Sequence, residues 1–127
     1  MPTIGPLKVK VQILCADALA MGPGKADLLE AIDRAGSISG AGRELGMSYR
    51  RAWMLVAEMN RCWRERLVDA QSGGGDRSGA RLTDQGRQVL GAYRRLEAGL
   101  ASAAASDDLT TLKALLLDQP RADPESH

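Results

Sequence analysis

The run GSISGAGRELGMSYRRAW, residues 36–53, confines this chain to few folds. It is rich in glycine, yet its apolar residues recur at helical spacing. Ser39 is a natural N-cap for a short helix from Gly40 to about Leu45. Gly46 ends that helix, because a sharp turn there favours a positive φ that only glycine adopts without strain. Ser48 then caps a longer helix reaching roughly Arg66. Gly40 and Gly42 each cost roughly 1 kcal/mol relative to alanine inside a helix. A short helix that accepts both must be held by tertiary contacts, and the missing Cβ atoms imply that another helix passes close. Gly42, Gly46 and Ala52 fit two helices crossing over a tight turn, with Leu45, Met47 and Leu55 filling the space between them. That is the sequence shape of a helix-turn-helix, although an ordinary helical hairpin in a core shares the spacing.

The charges separate the two readings. A net charge of +1 hides a split, since residues 43–66 carry six arginines against three glutamates while residues 107–127 carry two bases against five acids. Arg50 and Arg51 fall in the first turn of the helix that Ser48 caps, where the helix macrodipole disfavours cations. Local rules are broken most often at functional sites. A DNA duplex supplies what would offset the misplacement, because phosphates and guanine O6 and N7 accept arginine hydrogen bonds. Ser48 and Tyr49 would add phosphate or base-edge contacts. Ala52, Leu55, Val56, Met59 and Trp63 form the apolar face of this helix, and Arg50, Met54, Glu58, Arg61 and Glu65 the opposite stripe. Arg61 and Arg64 read as a solvated face.

The rest of the chain fits around this unit. Leu7, Val9, Val11 and Ile13 alternate with Lys8, Lys10 and Gln12, which predicts one half-buried strand. After the turn-like MGPG of residues 21–24, Leu28, Leu29, Ile32 and Ala35 predict a helix from about Lys25 to Ala35, stopped by Gly36. LVDAQSGGGDRSGARLT, residues 67–83, reads as a β-hairpin with a mobile tip. A hairpin directly after a recognition helix is a wing, and Arg77 and Arg81 would reach phosphate or the minor groove from it. GGDRSGAR lacks the Lys-Ser/Thr pair of a nucleotide-phosphate loop. Thr83 or Asp84 caps a further helix carrying Val89, Leu90, Tyr93, Leu96 and Leu100, and a last one spans Leu109–Leu117. Residues 1–105 are expected to form one winged domain with its dimerisation helix, 106–119 a short terminal helix, and 120–127 a disordered tail. The fold class is mainly α with a small β component, a winged helix-turn-helix.

Several classes are set aside. Cys15 and Cys62 match neither a disulfide framework nor a zinc pattern, and read as buried or bystander thiols of a reducing cytoplasm. His127 is the only histidine, so no metal site is expected, and no cofactor is implied. Catalysis has no histidine to partner serine or cysteine and no carboxylate pair within a motif. No 18-residue apolar span or signal-like leader is present, and a soluble cytoplasmic protein without a membrane partner is expected.

AGSISGAGRELGMSYRRAWMLVAEMN, residues 35–60, followed by GGGDRSGARLT, residues 73–83, closely resembles the DNA-binding half of the molybdate-responsive ModE regulators. Those proteins share a winged fold with LysR-type N-terminal domains, and the likeness spans about Leu7 to Leu100. The resemblance implies a bacterial, homodimeric transcriptional regulator of double-stranded DNA. By matching position, Ser48, Tyr49, Arg50 and Arg51 would face the major groove, with Arg77 and Arg81 on the wing, and Ser39 joins this DNA-binding set. Members that sense molybdate carry two further small β-barrel domains with a SARN-like stretch. This chain ends at His127 with neither, so no molybdate site or other small-molecule effector is assigned.

The series Val89, Tyr93, Leu96 and Leu100 has near-heptad spacing and predicts a dimer face, although the same series would also close a winged domain's core. A two-fold dimer would set two recognition helices about one DNA turn apart, roughly 34 Å, on a palindromic operator. Two alternatives stand beside this reading. One is a winged-helix protein-interaction module without specific DNA binding. The other is an oxyanion-responsive regulator signalling through a partner.

Overall fold

The computed structural model describes residues 2–71 and 79–123. Three helices form its centre. Helix α1, Pro23–Ala35, has proline in its first turn, where the missing N–H would be unsatisfied anyway. It stops at Gly36, which takes φ 73° and returns its N–H to the Ile32 carbonyl. Helix α2, Ile38–Glu44, is followed by Gly46 at φ 70°, and helix α3 runs Tyr49–Cys62. Leu28, Leu29 and Ile32 of α1 are fully buried against Ile38 and Ala41 of α2 and Ala52, Val56 and Met59 of α3. This one core accounts for the hydrophobic periodicity of all three helices.

Around them, among the described residues, lie three two-stranded antiparallel sheets. Strand β1, Thr3–Ile4, pairs with β2, Leu7–Lys8, and β3, Ile13–Cys15, pairs with β4, Ala18–Met21. Strand β5, Val68–Gln71, pairs with β6, Gly79–Leu82, so that Val68, Ala70, Ala80 and Leu82 face the core side while Asp69, Gln71 and Arg81 face out. Helix α4, Asp84–Ala104, is capped by the Thr83 hydroxyl, which accepts from the Gly86 N–H, and α5, Asp107–Leu115, is capped by Ser106. Arg94 on α4 donates to Asp27 and Glu30 on α1 and to Glu97, which ties α4 to the first helix. The molecule is mainly α with a small β component, a winged helix-turn-helix. No helix among the described residues is long and apolar enough to cross a membrane.

Several sequence expectations are corrected. The single strand over Leu7–Ile13 is absent: its alternation of half-buried and exposed residues is present, but only its ends pair, each in a separate hairpin. A two-residue turn at Ala16 and Asp17, with Ala16 at φ 51°, folds β3 onto β4 and diverts the chain from a longer strand. Ser37, not Ser39, caps α2, because Ser37 is the residue with extended backbone and its Oγ accepts from the Gly40 N–H at 3.0 Å. Helix α3 ends at Cys62 rather than near Arg66, since Trp63 is already extended and turns the chain into the hairpin. Helix α5 starts and stops two residues earlier than expected. The hairpin tip, with Arg77, and residues 124–127 of the expected tail lie outside the described residues.

Candidate nucleic-acid interface

The two glycines of α2 have different reasons. A methyl group on Gly42 would lie 3.4 Å from the Ala52 Cβ and 3.3 Å from the Met47 carbonyl oxygen, so α2 and α3 cross in close contact there. On Gly40 it would lie 2.8 Å from the capping Oγ of Ser37 and 3.1 Å from the Ala35 Cβ. Gly40 therefore leaves room for the cap, and only Gly42 makes room for the second helix.

That crossing projects the start of α3 outward. The Ser48 Oγ accepts from the Arg51 N–H at 3.1 Å, which fixes the first turn. Tyr49, 58% exposed, stands edge-on to Trp53 with ring centroids 6.1 Å apart. Arg50 and Arg51 are exposed and make no ion pair among the described residues. No acidic side chain occupies the first turn of α3 to offset them. Two guanidinium groups thus stand at the positive end of the helix macrodipole, an arrangement that repels cations and attracts anions.

Ser39, half-buried on α2, meets Tyr49 and Trp53 of α3 and Ala70, Gln71 and Gly79 of the hairpin around one small cleft of about 60 Å³. Ser37 and Gln71 belong to this cleft and were missed in the sequence. Gln71 is polar and faces outward, but nothing in its local sequence sets it apart from other loop-flanking polar residues. Arg81 is exposed on β6 and sits in register with Asp69 on β5, so its charge has an opposite neighbour that Arg50 and Arg51 lack.

Behind α3, Asn60 holds the hairpin. Its Oδ1 accepts from the Leu67 and Val68 N–H groups at 2.9 and 3.1 Å, and its Nδ2 donates to the Val68 carbonyl at 3.1 Å. Arg61 and Arg64 are exposed, as a solvated face requires. Glu58 departs from that stripe, because its carboxylate accepts from the buried ammonium of Lys25. That hydrogen bond, with the charge of Lys25, holds the Glu58 carboxyl below its ordinary value.

The four residues of the expected dimer series do not share one free face. Tyr93 is buried and its hydroxyl donates to the Val11 carbonyl at 2.7 Å. Burial, with the neighbouring Glu97 carboxylate, pushes its phenol up to about 12. Val89 is half-buried against the core. Leu96 and Leu100 are 43% and 44% exposed. The series therefore straddles two environments, Tyr93 in the core and Leu96 and Leu100 at the surface. Val89, Tyr93 and Leu96 border, with Ile13, Met21 and Trp63, an apolar groove of about 410 Å³.

Comparison with known proteins agrees with this architecture. Residues 25–87 match the bacterial regulatory helix-turn-helix proteins of the LysR family. The chain is 38% identical over 98 residues to the molybdenum-pterin-binding protein MopA of Rhodobacter capsulatus, covering 77% of this chain and 37% of that protein. It is 44% identical over 86 residues to MopB of the same organism, covering 68% and 32%. It is also 32% identical over 97 residues to the DNA-binding transcriptional dual regulator ModE of Escherichia coli strain K12, covering 74% and 37%. The chain spans about a third of the length of these curated relatives. Over residues 25–87 it is similar to the bacterial regulatory helix-turn-helix proteins of the LysR family, and its longer matches are to MopA, MopB and ModE.

Proposed function

We propose that this chain binds specific double-stranded DNA and regulates transcription in the bacterial cytoplasm, as a homodimer on a palindromic operator. Helix α3 enters the major groove, and the hairpin of residues 67–83 lies against the backbone or minor groove. The observation that carries this reading is the pair Arg50 and Arg51: exposed, without an ionic partner among the described residues, at the positive end of α3. Their chemistry suits phosphate oxygens and the guanine edge. Tyr49 and Ser48 flank them on the same turn, Ser39 lines the adjoining cleft, and Arg81 supplies charge from β6, while Arg77 lies outside the described residues. A relative named as a DNA-binding transcriptional regulator is 32% identical over 97 residues, which supports the reading.

Dimerisation draws support from the apolar surface at the other end of the chain. Leu96 and Leu100 on α4 and Leu112 and Leu115 on α5 are exposed large apolar side chains that a second copy would cover. A two-fold axis there would place two copies of α3 on one side of a duplex.

Selection from a random duplex pool, followed by fluorescence anisotropy across a salt series, tests both parts. The selected sites should be palindromic, and affinity should fall steeply with ionic strength. Arg50→Ala with Arg51→Ala should abolish the preference for the selected site while leaving the fold intact. If that double variant keeps full preference, α3 is not the reading element.

A further inference from the structure

The two cysteines, distant in sequence, are brought to one place by the fold. Cys15 ends β3 and stands opposite Ala18 of β4. Cys62 is the last residue of α3. Two cross-links dock that end of α3 on the β3–β4 hairpin. One turn before Cys62, Glu58 takes the ammonium of Lys25, which also donates to the Leu19 carbonyl at 2.5 Å. One residue after it, the Trp63 indole N–H donates to the Ala20 carbonyl at 3.1 Å. Cys15 pairs with Ala18, two residues before Ala20, and Cys62 immediately precedes Trp63, so the bond from Trp63 to Ala20 brings the two cysteines into one neighbourhood, where Cys15 bears on the ionisation of the Cys62 thiol. Both thiols are free, Cys15 exposed and Cys62 partly covered. Of the two thiols expected to be buried or bystanders, neither is buried: Cys15 is open to solvent and Cys62 is partly covered.

We propose that Cys15 and Cys62 are a redox pair that closes an intramolecular disulfide, bolting the β3–β4 hairpin to the end of α3. The oxidant is a low-molecular-weight disulfide of the glutathione class. The exposed Cys15 thiol loses its proton to solvent, and its thiolate attacks one sulfur of that disulfide. A mixed disulfide forms and one small thiolate leaves. Cys62 then gives up its proton and attacks the Cys15 sulfur, the protein S–S bond forms, and the second small thiolate leaves. Two protein thiols are oxidised by two electrons, and the small disulfide is reduced to two thiols that take up two protons. Burial first, and then the neighbouring Cys15, raise the pKa of the Cys62 thiol above its ordinary 9.0. Closure therefore accelerates with pH. In a reducing cytoplasm such a link forms only under oxidative conditions, which makes it a signal rather than a permanent brace.

The test is timed oxidation of the full chain with oxidised glutathione, followed by intact mass and peptide mapping. The wild type should lose two hydrogens in mass, show Cys15 joined to Cys62, and revert with dithiothreitol. Cys62→Ser should stop at a glutathione adduct on Cys15, and Cys15→Ser should react more slowly than wild type because its remaining thiol is partly covered. Closure from the mixed disulfide should be roughly tenfold or more faster in the folded protein than in urea, because the fold removes the loop-closure cost. Persistence of the adduct in folded wild type for as long as in urea, or disulfides only between chains, would overturn the proposal.

Discussion

Asn60 and Val68 are joined twice: the Asn60 Oδ1 accepts from the Val68 N–H, and its Nδ2 donates to the Val68 carbonyl, both at 3.1 Å. The side-chain amide at the end of α3 acts toward β5 as another strand would. With the Leu67 N–H also bound, three main-chain groups at the root of the hairpin depend on one side chain. Asn60→Ala should therefore destabilise the protein by about 2 kcal/mol or more, since Leu67 and Val68 are buried and water cannot readily replace the lost partner. Chemical denaturation measures the loss. Asn60→Asp keeps the two accepted bonds and loses the donated one, so it should fall between wild type and alanine.

Gly86 carries a tighter constraint. A methyl group there would lie 2.1 Å from the Leu67 carbonyl oxygen. That carbonyl is also held by the Thr83 N–H at 2.9 Å, so it cannot swing aside without breaking the α4 entry. Gly86→Ala should cost about 3 kcal/mol or more, the upper range of overpacking, although alanine is the better helix former. A lowered urea midpoint with an unchanged slope is the expected result.

These two positions mark where sequence reading runs out. Gly36, Gly46, Ser48 and Thr83 are legible because each makes its own local turn or cap, and the conformation follows from the residue. The helix crossing at Gly42 is legible because Ala52 and the turn lie nearby in sequence. Asn60, Gly86 and Lys25 are not, since their partners are main-chain groups or charges delivered by other elements. Tyr93 fails for the opposite reason. Its spacing fits a dimer seam and a core equally, and only the arrival of Val11 decides for the core. Within the candidate interface, Arg50 and Arg51 are legible as charge in the wrong place and Tyr49 as their neighbour on the same turn, whereas Gln71 enters only when the hairpin folds beside α3.

The Lys25–Glu58 pair makes stability depend on acid. Lys25 is buried with 3% of its side chain exposed, and Glu58 seals it from the edge. The Glu58 carboxyl ionises at lower pH in the folded chain than its ordinary 4.5. Its contribution is thus whole above about pH 4.5 and disappears as pH falls through the lowered folded value. Glu58→Ala should cost about 2 kcal/mol at neutral pH, less than breaking a fully buried pair because Glu58 is partly in water. The gap between wild type and variant should close in thermal melts taken at progressively lower pH. A gap that stays constant down to strong acid would mean that packing, not charge, joins the two residues.

Tyr93 sets the alkaline limit by the reverse linkage. The folded chain holds its phenol up to about 12, from an ordinary 10.0, so the unfolded chain releases that proton first. Stability contributed by the neutral phenol is complete below pH 10 and is lost as pH rises toward 12. Tyr93→Phe removes the titration and the bond to the Val11 carbonyl. It should cost about 1 kcal/mol at neutral pH and show a flatter decline in base. Denaturation midpoints across alkaline pH, compared between the two proteins, check both effects.

The exposed face of α5 lies outside the core. Leu112 and Leu115 on α5 are 65% and 78% exposed, so lysines there remove no buried contact within one chain. If the exposed leucines meet across a two-fold axis, Leu112→Lys with Leu115→Lys places like charges on both sides of it. Sedimentation should then show a monomer with near-normal helix content. Affinity for a palindromic duplex should drop by roughly a hundredfold or more, because the second half-site no longer benefits from linkage to the first. Binding to a single half-site should change little, which separates lost dimerisation from a damaged recognition helix. An unchanged dimer would move the two-fold contact away from α5, toward Leu96, Leu100 and the apolar groove bounded by Trp63.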